Sequence, residues 1–99
     1  MTMINKDTEC PEGFPEHMWG GFKRYVLDGV PPGNGLRAFL EGDLFETFRR
    51  CDFTDQLTPM VMYTCNYCPA GCFGSKSRVQ EWLELGGLHG LERKMNGGN

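Results

Sequence analysis

Apolar side chains in this chain recur at spacings of three and four, in short runs that glycine or proline closes. Met18, Trp19, Phe22, Tyr25 and Val26 form the clearest run, and Gly29 ends it. That period places side chains on one face of an α-helix, and the punctuation keeps each helix short. No stretch alternates with period two, so no strand is expected. With 14 glycines in 99 residues, the chain is expected to form a compact all-α single domain of four to five short helices.

Helix one is expected to start at Pro15, where a missing N–H costs nothing, with Gly29 as its C-terminal cap. "VPPGNG" (30–35) reads as a rigid loop. The next helical stretch, 36–51, carries Leu36, Phe39, Leu40, Leu44, Phe45 and Phe48. Gly42 followed by Asp43 and Glu46 is a break with a D-x-x-E capping pattern, so a second short helix can begin there. A third stretch, 55–67, has Thr54 or Thr58 as cap and Pro59 in its first turn. Its expected inward stripe is Leu57, Val61, Thr64, Cys65 and Cys68. Ser75 is expected to cap a helix over 76–85 with Val79, Trp82 and Leu83 inward, ended by Gly86 and Gly87. Leu88 and Leu91 then fold back onto the core. Residues 1–14 read as an irregular segment anchored by Ile4 and Phe14, residues 15–91 as the helical domain, and residues 92–99 as a flexible C-terminal tail.

The charge balance narrows the functions. Formal net charge is -3, and acidic and basic residues are spread evenly from end to end. A chain that holds nucleic acid through phosphate contacts needs a clustered basic face, and there is none, so nucleic acid is not the expected partner. No apolar run approaches 18 residues, so no membrane span is expected. The N-terminus "MTMINKDTECPEGFPEH" has no signal-peptide stretch, which points to the cytoplasm and to reduced thiols.

Three of the five cysteines fall in "TCNYCPAGCFGS" (64–75). Cys65, Cys68 and Cys72 supply three soft ligands, with Cys10, Cys51 or His89 as a possible fourth for tetrahedral zinc. Yet the usual structural zinc signature is two C-x-x-C pairs, and here there is one. On a helix, Cys65 and Cys68 lie three residues apart beside Val61 and Leu57, where a free thiol packs as a small hydrophobe. Core packing is therefore the expected role, no metal or cofactor is assigned, and a zinc-binding protein using this cluster, in contact with nucleic acid, is the alternative. Nucleophilic catalysis needs a positioned base. His17 and His89 are the two histidines, and neither has a carboxylate at a telling spacing, so no catalytic residue is assigned. "PPGNG" lacks the Gly-Lys-Ser/Thr of a phosphate loop. Arg49 and Arg50, at the end of the 36–51 stretch, complement the helix dipole.

The order of motifs resembles a family of small proteins of tailed phages and prophages. The resemblance spans roughly residues 15–91. It rests on Pro15, Glu16 and Met18; on Arg24, Tyr25, Val26, Gly29, Val30, Pro32 and Gly33; on Leu40, Asp43 and Leu44; and on Asn66, Pro69, Phe73, Gly74, Ser75, Val79 and Trp82. Cys65 stands where that family has an aromatic residue and Cys68 where it has a small one. The resemblance implies an accessory role during infection, without an assigned activity, and hence the host cytoplasm.

If the helices alternate up and down, the 29–34 loop and the 69–75 loop share one end of the domain. Loops with specific residues carry function more often than core positions do. Pro32, Gly33, Asn66, Phe73 and Ser75, with Pro31 beside them, then form a candidate binding surface for a host or phage protein. The same residues also read as turn formers and caps.

Overall fold

The computed structural model describes residues 4–50 and 56–97. Among the described residues six α-helices follow one another: α1 (Glu16–Asp28), α2 (Asn34–Glu41), α3 (Leu44–Arg50), α4 (Leu57–Tyr67), α5 (Lys76–Leu85) and α6 (Gly87–Gly97), with a 3-10 turn at Ala70–Cys72 before α5. No strand occurs among the described residues. The all-α single domain is as expected. The break at Gly42 does separate α2 from α3: Gly42 takes the left-handed conformation at φ 79°, and Asp43 then caps α3 through its Oδ1, which accepts from the Glu46 N–H at 3.1 Å. Cys51 and Thr54 lie outside the described residues.

The ends of α1 explain its position at the centre. Phe22, Tyr25 and Val26 are fully buried. At its N-terminal end, Trp19 and Phe22 join Phe14 and Tyr63 of α4 in an aromatic cluster with ring centroids 4.9–6.2 Å apart. Edge-to-face contacts of this kind add to simple burial. Ile4 and Phe14, the two anchors expected of the irregular segment, are both buried.

At its C-terminal end, α1 leaves carbonyls that no residue of the helix can satisfy. The buried Trp82 indole N–H of α5 is shared between the Tyr25 and Val26 carbonyls, at 3.1 Å to each. Gly29 then turns the chain in the left-handed conformation against the α5–α6 junction. A Cβ on Gly29 would sit 2.7 Å from the Gly87 nitrogen, and one on Gly87 would sit 2.5 Å from the Leu27 carbonyl carbon. Only glycine permits this approach, and Gly87 also has positive φ.

Two differences from the expected elements concern ends. α2 starts at Asn34, two positions earlier than expected, because the Gly33 carbonyl already accepts from the Arg37 N–H at 2.8 Å. α6 packs along α1 and is helical to Gly97, past the expected end of the helical domain at 91. The left-handed Gly86 and Gly87 end α5 but do not end helical structure; they redirect it.

Candidate functional site

The five candidate binding residues do not share one end of the domain. Gly33 precedes α2 at its N-terminus, with Pro32 beside it. Phe73 and Ser75 lie beyond the other end of α2, where the Gly74 N–H donates to the Leu40 carbonyl at 2.7 Å. α2 therefore separates the two loops by its own length, about 12 Å for eight residues. The up-and-down arrangement needs the 36–51 stretch to cross the domain as a single helix; the stop at Gly42 makes α2 a strut between the two loops. Asn66 is exposed on α4 and faces a third place, the N-terminal segment. Ser75 accounts for itself as a cap: its Oγ accepts from the Arg78 N–H at 3.1 Å.

The cysteines also divide. The expected inward stripe of α4 is rotated by about one residue. Met60 and Thr64 are buried, the Thr64 hydroxyl donates to the Met60 carbonyl at 2.8 Å, and Cys68 is buried one turn on. Val61 is 48% exposed and Cys65 is exposed. The core role expected for Cys65 is thus incorrect, while that of Cys68 holds. The larger Met60 fills the interior, and the neighbouring position of the helix turns outward. Cys72 is fully buried. Its neighbouring thiol, and then burial, hold the Cys68 thiol above its usual range, so it stays protonated and poorly nucleophilic. Among the described residues, no three of His, Cys, Asp and Glu are placed to hold a metal ion.

One pairing escaped the sequence. His89 Nδ1 lies 2.8 Å from Asp28 Oδ1, although 61 positions separate them. No spacing rule finds such a pair; it follows from α6 folding back along α1. Both side chains are about half exposed and join two helices. Arg49 and Arg50 are both held by Glu46, at 2.6 Å each, and these contacts lower the Glu46 carboxyl below its usual range, chiefly through Arg50. No buried side-chain nitrogen or oxygen among the described residues lacks a hydrogen-bond partner.

One recess of the fold is apolar. Between α2, α4 and the 73–74 turn lies a trough of about 140 Å³ lined by Phe39, Gly42, Val61, Cys65 and Phe73. It continues into a space of about 170 Å³ over Leu57 and Thr47, with Phe39, Gly42 and Val61 common to both. Phe73 is the one predicted residue in it. Phe39, Val61 and Cys65 were missed because each fits a buried stripe as well. The signal lay in the composition of α4: "LTPMVMYTCNY" has no charge and more apolar residues than one inward face uses.

On the other flank of α4, Asn66, Met62, Tyr63 and Tyr67 face Pro11 and Glu12 across a groove of about 320 Å³. Tyr63 and Tyr67 stack with centroids 4.8 Å apart. Burial, first of all, pushes the Tyr63 hydroxyl up to about 12, so it is a neutral donor at ordinary pH.

Comparison with family models, curated proteins and solved structures finds no match for this chain. Fold and site together define a small all-α domain with apolar recesses on both flanks of one uncharged helix.

Proposed function

We propose that this is a non-enzymatic phage accessory protein that binds a host or phage protein in the host cytoplasm, in the service of counter-defence or host takeover. The observation that carries the binding reading is the outer side of α4. Val61 is 48%, Met62 59% and Tyr67 40% exposed on a helix without a single charge. Contiguous exposed apolar surface on a small domain marks contact sites. The trough at Phe39, Val61 and Phe73 offers an aromatic-walled pocket of the kind that anchors a partner side chain. The phage setting rests on the resemblance over residues 15–91. No helix of the described residues is long and apolar enough to cross a membrane.

The test is affinity capture from infected cells with the wild-type chain and with Val61→Asp and Phe73→Ala, each first shown to melt cooperatively. A partner retained by the wild type and lost by both folded variants supports the reading. A partner held equally by all three removes the trough as its site.

A further inference from the structure

A second recess differs from the trough in shape and charge. Its floor is α4 and its opposite wall is the turn that starts at Pro11 and Glu12, closed by the Phe14 N–H on the Pro11 carbonyl at 3.1 Å. Both walls are fixed. Gly13 packs so closely on Pro59 that a Cβ would meet Pro59 Cβ at 3.0 Å, and the Gln56 side-chain amide donates to the Gly13 carbonyl at 3.3 Å. Tyr67 stacks on Tyr63, and Tyr63 is wedged against Trp19 at 5.5 Å and Phe14 at 6.0 Å. The exposed tyrosine ring is therefore a rigid platform continuous with the core, and contact with it loses little conformational entropy.

We propose that this groove takes an extended, proline-containing peptide segment with a lysine or arginine beside the proline. Two features select that ligand. A polyproline segment is narrow, is already extended, and turns its carbonyls outward unpaired. The exposed Asn66 amide and the tyrosine hydroxyls are donors for such carbonyls, and the Tyr67 face receives a pyrrolidine ring. The basic residue follows from charge. Glu12 lines the groove, and Asp7 and Glu9 are exposed on the same segment, against one exposed cation, Lys6. A peptide cation set over that wall gains attraction, whereas an acidic peptide is repelled.

The proposal is tested by fluorescence anisotropy on the intact chain with dye-labelled synthetic peptides. One set carries two prolines and an arginine on either side, one has arginine replaced by glutamate, and one has alanine for proline. Saturable binding of the first set alone is expected, weakening as salt rises. Tyr67→Ala should weaken it about tenfold. The exposed positions Asn66→Ala and Glu12→Gln, which leave the core untouched, should weaken it several-fold. Phe73→Ala, in the other trough, should leave it unchanged, which separates this groove from the site of the preceding section. Absence of saturable binding in every proline–arginine peptide overturns the proposal. So does equal binding of the glutamate or alanine sets, or binding that survives both Asn66→Ala and Glu12→Gln.

Discussion

Helices α4 and α5 are nearly the same length and each buries two residues fully in its span: Met60 and Thr64 in one, Val79 and Trp82 in the other. Their outer faces are opposites. α5 presents Lys76, Arg78, Gln80, Glu81 and Glu84 to solvent, the ordinary face of an amphipathic helix. α4 presents Thr58, Val61, Met62, Cys65, Asn66 and Tyr67, with no charge. Stability requires only the inner faces. What α5 does with its outer face is stay soluble; α4 gives that up, and both uncommitted apolar recesses lie along it.

The comparison makes α5 the anchor, so the largest effect should come from Trp82→Ala. It removes a large buried side chain and the N–H that satisfies two α1 carbonyls. A loss of about 3–5 kcal/mol in denaturant unfolding is expected. A loss under about 1 kcal/mol would show that α5 is not the anchor.

Tyr25→Phe comes next. The Tyr25 hydroxyl donates to the Cys72 carbonyl at 2.6 Å in the interior, and its loss orphans that carbonyl. About 1–3 kcal/mol is expected. The same region sets the alkaline limit. Cys68, through the neighbouring Cys72 thiol and then burial, titrates above its usual 9.0, and Tyr25, chiefly through burial, above its usual 10.0. Groups raised in the folded state favour folding below their ordinary values and lose that contribution as pH rises past them. Unfolding midpoints should therefore fall as pH climbs above 9.0, and Cys68→Ala should remove the earlier part of that fall.

How far this was legible in the sequence depends on the kind of signal. Caps are local, and they were readable: Gly29, Asp43 and Ser75 act where the pattern put them, because each needs only its own neighbours. The rotation of α4 was not readable. Met60 and Val61 are both apolar, and which one turns inward is decided by the aromatic cluster that receives Tyr63. Nor was the separation of the two loops, which depends on the length of α2 and on the bond from Gly74 to Leu40. The two loops therefore do not share one end of the domain. Phe73 and Asn66 were still found, each at the edge of a different recess.

A smaller effect tests the local part of that reading. Ser75→Ala removes the acceptor for the Arg78 N–H and should cost about 1 kcal/mol. Replacement by Asp should restore most of it, since Asp caps a helix start equally well.

The smallest expected effect bears hardest on the comparison. If the outer face of α4 is held for a partner, a charge placed there should cost folding almost nothing. Val61→Lys is expected to shift stability by no more than about 0.5 kcal/mol, because the side chain is 48% exposed and its long stem can lie along the trough. Glu81→Leu on α5, which gives that face an apolar residue, should be similarly mild. Thiol labelling reports the same geometry without a mutation. Cys65 is exposed and should react in the native state, whereas Cys68 and Cys72 should react only on unfolding. A Val61→Lys loss of several kcal/mol, or slow labelling of Cys65, would mean that the face is already covered within the folded chain. α4 would then be a helix covered on both faces, unlike α5, and the absence of charge on it would need no partner.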